Sequence, residues 1–192
     1  KAHHTTKSTI GNMIRVVILA LIILGCQTPT PKPKAQLALT YPIPQYKSLS
    51  SECAYAFEYN LLATPKKFSA CGITLDYEAL NAKLYLTYFD LNKYSLDTLL
   101  LDFDKRLEML GKQASQVNES AFENKTENLL GSCIIIVGNS PSNLHFFGTN
   151  TQKHYITGSL LFEAAPNYDS LAPAIMYVKK DVQKLLETLR WD

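Results

Sequence analysis

The chain is 192 residues long and 46% hydrophobic, with 11 tyrosines, so it can bury a sizeable core and is not a disordered polymer. Lysine plus arginine number 19 against 17 aspartate plus glutamate, but Lys1, Lys7 and Arg15 all fall in the first 25 residues, which hold no acid. Without them the balance is 16 against 17, which excludes the basic footprint of a nucleic-acid-binding protein.

The leader combines those three cations with an apolar run from Met13 that ends in Ile23-Leu24-Gly25-Cys26. Residues 16–24 form less than half of the roughly 20 apolar residues that span a bilayer, so the run reads as a signal h-region rather than a transmembrane helix. The tetrapeptide has the form of a bacterial lipobox, with Leu24 where a smaller residue is commoner. It predicts cleavage between Gly25 and Cys26, followed by diacylglycerol and N-acyl lipid (palmitate as label) on Cys26, with no other cofactor. An ordinary signal peptide and a buried helix are the alternatives.

Three segments are expected: a signal peptide over 1–25, a lipidated cysteine and tether over 26–35, and one globular domain over 36–192. In the tether, three prolines alternate with polar residues in Gln27-Thr28-Pro29-Thr30-Pro31-Lys32-Pro33-Lys34. Polyproline II geometry at about 3.1 Å per residue would lift the domain at most about 30 Å from a membrane.

Beyond the tether, large apolar residues alternate with smaller or more polar ones at 37–41, 55–59, 73–77 and 84–88, and strand-like runs recur at Leu129–Val137, 144–147 and His154–Phe162. Period two with one wetter side predicts an antiparallel sheet. Residues 148–153 read as a hairpin loop. Two stretches change to helical spacing. Leu96, Leu99, Leu100, Phe103, Leu107 and Leu110 form the first stripe, between Ser95 as cap and Gly111 as stop. Leu171, Ile175, Val178, Val182, Leu185 and Leu189 form the second, with Pro173 in its first turn and Ser170 as its cap. The expected fold is α+β: a curved antiparallel sheet packed by at least two helices, preferably on both faces, with a split arrangement as the alternative.

Four cysteines follow the leader. Lipidation consumes Cys26. In an oxidising compartment Cys53 and Cys71 are the expected disulfide pair, because each borders a strand-like segment and the enclosed loop is short. Cys133, inside Cys133-Ile134-Ile135-Ile136-Val137, reads as a buried thiol.

Few residues suggest chemistry. His145 and His154 fall on neighbouring strands, but no carboxylate or cysteine stands at ligand spacing beside them, so no metal is expected. Gly138-Asn139-Ser140-Pro141-Ser142 lacks the second glycine and following helix of a nucleophile elbow and reads as a turn. Asp169, Asp181 and Glu187 are explained by a cap and a solvated helix face. Tyr41, Tyr46, Tyr55, Tyr59, Tyr77, Tyr85 and Tyr88 crowd the first half, as a glycan or peptide platform would require, although tyrosine also favours strands for its own sake. No catalytic residue is assigned.

The lipobox, Pro31-Lys32-Pro33-Lys34-Ala35, Leu39-Thr40-Tyr41-Pro42-Ile43-Pro44-Gln45-Tyr46 and Cys53-Ala54-Tyr55-Ala56-Phe57-Glu58-Tyr59-Asn60 together resemble the gliding-motility lipoprotein family GldD of the Bacteroidetes. The resemblance continues through Cys71, Leu84-Tyr85-Leu86-Thr87-Tyr88, Gly158-Ser159-Leu160-Leu161-Phe162 and Pro166-Asn167-Tyr168-Asp169-Ser170-Leu171-Ala172-Pro173 to Trp191. It implies a cell-envelope lipoprotein needed for gliding and type IX secretion, not an enzyme. Its implied partners are the membrane, through the lipid, and other envelope proteins of that machinery; a small-molecule ligand is not expected. The resemblance also strengthens the pairing of Cys53 with Cys71. Because residues 27–34 lack an acidic cluster, it further implies a periplasm-facing anchor. Cys133 and Ser140-Pro141-Ser142 depart from the family pattern.

Overall fold

The alternating segments become strands, and they form two sheets. A computed structural model describes residues 41–191 except Gln113 and Pro166. The leader, Gly25, Cys26, the proline-rich segment and residues 37–40 of the first expected strand lie outside the described residues; Tyr41 itself is in irregular chain.

In chain order the elements are β1 (Tyr46–Ser50), β2 (Tyr55–Asn60), β3 (Thr64–Lys67), β4 (Gly72–Tyr77), β5 (Ala82–Asp90), α1 (Leu96–Gly111), β6 (Gln116–Asn124), β7 (Leu129–Val137), β8 (Ser142–Thr149), β9 (His154–Phe162), α2 (Tyr168–Thr188) and β10 (Arg190–Trp191). Every pairing is antiparallel. Seven strands make one sheet in the order β3-β4-β5-β9-β8-β7-β6, and β1-β2-β10 make a second. The architecture is the expected α+β.

Beside the large curved sheet with helices on both faces stands a second, smaller one, and α2 supplies the reason. Its buried residues include Ala174, Ile175, Tyr177, Val178, Asp181, Val182, Leu185 and Leu186. At 3.6 residues per turn these cover an arc of about 180°, wider than the roughly 100° stripe that one sheet covers. The helix is therefore packed from two sides, by β7 and β8 of the large sheet and by β2 of the small one. Tyr55 and Phe57 of β2 join Cys133, Ile135, Leu144, Phe146, Ile156 and Leu160 of the large sheet in one core around it.

Helix α1 lies on the opposite face. Strands β5 and β6 are third and last in the sheet order, so the connection carrying α1 must cross β9, β8 and β7. Phe103, its one fully buried residue, meets Phe147 edge-on at 5.2 Å between ring centres. The rest of the expected stripe is half-buried. Ser95 stands at the N-cap as expected, but its side chain makes no capping bond.

Helix α2 begins at Tyr168, two residues before the expected cap, so Pro173 sits inside the helix. Its missing amide removes one bond near the helix start. The first amides are held otherwise: Ser170 and Leu171 N–H both donate to Asn167 O, and Tyr168 N–H donates to Asn139 Oδ1 at 3.1 Å. The β8–β9 hairpin closes over 150–153, where Asn150 Oδ1 accepts the amides of Gln152, Lys153 and His154.

Candidate functional site

Asp181 is the least expected residue in the core. Its carboxylate is 4% exposed, and among the described residues no cation pairs with it. Tyr46 OH of β1 donates to Oδ1 at 2.8 Å, and Tyr77 OH of β4 donates to Oδ2 at 3.0 Å. Asn60 Nδ2, at the end of β2, lies within 3.1 Å of both oxygens. Burial pushes the carboxyl above the usual aspartate range, and the bonds from Asn60, Tyr46 and Tyr77 act against that rise. Burial, then the neighbouring carboxylate, pushes the Tyr77 hydroxyl well up as well. Hydrogen bonds to a charged acceptor contribute about 1.5–3 kcal/mol each, which is how a buried carboxylate without a counter-ion is tolerated.

The network reaches the start of the domain. Asn60 Nδ2 also donates to Tyr177 OH at 3.0 Å, and that hydroxyl donates to Pro42 O at 3.1 Å. Tyr41 stacks on Tyr177 with ring centres 4.9 Å apart. Leu61 N–H donates to Gln45 O at 2.7 Å. Residues 41–46, which follow the proline-rich segment in sequence, are thus bonded to α2 and β2 as the chain enters the fold. One carboxylate joins α2 to strands of both sheets.

Sequence reasoning placed Asp181 on a solvated face, and the structure corrects this. The missed signal was spacing: Asp181 lies three residues after Val178 and four before Leu185, within the buried arc.

A second aromatic cluster ties the two sheets together. His154 Nδ1 lies 2.7 Å from Tyr88 OH, and Trp191 of β10 stacks on the imidazole with centres 5.1 Å apart. His145 is elsewhere. It pairs in register with Ser159, two positions along from Phe147↔Thr157, which puts it on the α1 face, whereas His154 faces α2 and β10. The two histidines therefore cannot share a ligand. Among the described residues no group of three or more His, Cys, Asp or Glu could hold a metal ion. His145 is 1% exposed, its Nε2 is 3.2 Å from Ser142 O, and burial pushes its pKa down to about 4.

The tyrosines do not make a common platform. Tyr55 and Tyr77 are fully buried, Tyr46 and Tyr77 serve Asp181, and Tyr88 serves His154. The turn before β8 is tied down on all sides: Asn143 Nδ2 donates to Ile136 O and Gly138 O, and Ser142 Oγ donates to Leu160 O. The structure joins Cys53 to Cys71 by a disulfide, with Cα atoms 5.6 Å apart. Lys67 and Glu52 form an ion pair beside it. Cys133 is a free buried thiol whose pKa burial raises to about 11, which leaves it unreactive.

Comparison with known protein families gives one result: residues 26–191 match the family described as gliding motility lipoprotein GldD. That span includes all ten strands and both α-helices of the described residues. A search among curated proteins finds no match.

Proposed function

Because the chain belongs to the gliding motility lipoprotein GldD family, we propose that it acts as a non-catalytic component or assembly factor of the gliding and type IX secretion machinery, held on the periplasmic side of a membrane by lipid on Cys26. Involvement in gliding motility and attachment to a membrane come with the family itself. Among the described residues no helix is long and apolar enough to cross a membrane.

The observation that carries the finer reading is where the family match opens. It starts at residue 26, the cysteine that the lipobox assigns to lipidation. Each buried methylene contributes about 0.8 kcal/mol and a single chain binds only marginally, so several acyl chains on Cys26 give a lasting anchor. The Asp181 network supports a mechanical role for the domain behind that anchor. Tension on the anchor enters through residues 41–46, and these are bonded to α2 and β2.

The test has a genetic arm and a chemical arm. A clean deletion abolishes spreading and secretion together, and only a gene encoding Cys26 restores them. In the same cells Cys26→Ala removes palmitate label and membrane retention at once. Spreading and secretion that persist in the deletion refute the proposal.

A further inference from the structure

The end of the domain at which the chain enters carries large apolar side chains where surface turns usually carry polar ones. Ile43, set between Pro42 and Pro44, is 89% exposed, the most of any large apolar side chain among the described residues. Beside it, β2 and β3 are joined by a tight turn, closed by Ala63 N–H donating to Asn60 O and Leu62 N–H donating to Asn60 Oδ1. Glycine, asparagine, aspartate or serine usually fills such a turn, yet Leu61 and Leu62 fill this one, and Leu61 is 52% exposed. Leu61 N–H donates to Gln45 O at 2.7 Å, so the turn and the Pro-Ile-Pro segment form one tip.

The tip has a fixed base. Pro42 O accepts from Tyr177 OH at 3.1 Å, Tyr41 stacks on Tyr177, and Tyr46 OH donates to Asp181. The rings of Pro42 and Pro44 lock a backbone torsion on either side of Ile43. The fold therefore holds Ile43 and Leu61 out in solvent, where their apolar surface gains by leaving water.

Two facts select what they meet. Two side chains fall far short of the about 800 Å² per partner that a stable protein interface buries, and a side chain as exposed as Ile43 stands out from the surface rather than lining a socket. The chain that leads to the tip comes from Cys26, seventeen residues before Ile43. Lipid on Cys26 keeps the tip beside a bilayer, so that a contact weak by itself becomes effectively intramolecular. We propose that Ile43 and Leu61 dip into the phospholipid surface that holds the lipid anchor, docking the domain by this tip instead of leaving it free on its tether. The inference rests on lipidation of Cys26.

The test uses the full-length lipidated protein inserted into preformed vesicles of phosphatidylethanolamine and phosphatidylglycerol. A fluorophore is attached through Gln45→Cys at the tip or, as control, through Leu101→Cys on the solvent side of α1, a position 53% exposed. With Cys26 acylated, Cys53 bonded to Cys71 and Cys133 buried, the introduced thiol is the accessible one. Bromine on the upper acyl chain should quench the label at residue 45 several-fold more than the label at residue 101, because an apolar tip in the interface reaches the boundary of headgroups and acyl chains. Aqueous iodide should do the reverse. Ile43→Ser with Leu61→Ser should bring bromine quenching at residue 45 down to that at residue 101 without moving the melting temperature, since both side chains lie mostly outside the core. Equal quenching at the two positions, or quenching at residue 45 that survives the double substitution, overturns the proposal. Flotation of the same vesicles separates the two readings: protein that floats with equal quenching refutes the docking alone, whereas protein that does not float refutes the anchor and the docking with it.

Discussion

Acid should unfold this domain partly through His145. The imidazole is 1% exposed beneath α1, and burial lowers its pKa from 6.5 to about 4, with the nearby Arg106 charge acting in the same direction. The folded state therefore keeps this histidine neutral over a range in which the unfolded chain binds a proton. Its contribution is fully present above pH 6.5 and is lost as pH falls toward about 4. Lowering the imidazole from 6.5 to about 4 is worth about 3 kcal/mol in all, most of which is gone by about pH 4.5. Asp181 works in the opposite sense: its raised carboxyl contributes stability that is present below the unfolded aspartate pKa and lost as pH rises through the folded value. Comparison of the wild type with His145→Gln cancels that term, because both proteins keep Asp181. Glutamine does not titrate, and its amide can still donate toward Ser142 O. Urea unfolding of both, followed by circular dichroism at about pH 7.5 and about pH 4.5, should show the wild type losing about 2–3 kcal/mol more than the variant. A wild-type-minus-variant difference that stays within about 0.5 kcal/mol across this range refutes the account of His145 as a buried neutral group.

Three further outcomes follow from the packing. Removing the disulfide as Cys53→Ser with Cys71→Ser frees a loop of sequence separation 18, which costs about 3 kcal/mol and lowers the melting temperature by about 6–12 °C; a fall under about 2 °C contradicts the loop-entropy estimate. Tyr46→Phe deletes one hydrogen bond to the Asp181 carboxylate and should cost about 1.5–3 kcal/mol in chemical denaturation. In an Asp181→Asn background the same change should cost clearly less, and full additivity would show that the two residues are not coupled. Phe103→Ala removes the only fully buried side chain of α1; hydrogen exchange should then show the α1 amides losing protection while those of β7, β8 and β9 keep theirs, and equal loss in all of them would mean that α1 is integral to the main cooperative unit.

Legibility in the sequence followed burial. Strands β7 and β9 could be bounded to the residue because each presents a continuous apolar side to the core. Strand β6 gave no such signal. Its one strand partner is β7, it forms the sheet edge, and it leaves most of its side chains in solvent, so Gln116–Asn124 reads as a polar connection. The other sheet edge, β3, carries Pro65, which argues against a strand except at an edge. Strand β1 is mostly exposed and escaped for the same reason as β6. The division into two sheets was hidden because strand periodicity says which side is buried, not what covers it. Asp181 shows the complementary failure. Its residue type pointed to solvent, whereas its position on the helix pointed inward, and position prevailed because Tyr46, Tyr77 and Asn60 arrive from distant parts of the chain. No local window contains that information.

The two faces of the large sheet are held to very different degrees, and this bears on how an anchored domain carries load. On one face α2 is buried through much of its length and is joined to β1, β2 and β4 by the Asp181 network. Pulling residues 41–46 away must break Tyr177–Pro42, Leu61–Gln45 and Tyr46–Asp181, bonds of about 1–3 kcal/mol each. On the other face α1 rests on Phe103 and a set of half-buried leucines. The chain therefore enters the fold on the side of the more deeply buried helix, and the less buried helix lies across the large sheet from that entry. The half-buried seat of α1 is also where a half-open cavity beside Tyr155 lies, so the looser of the two helix seats is on the face away from residues 41–46.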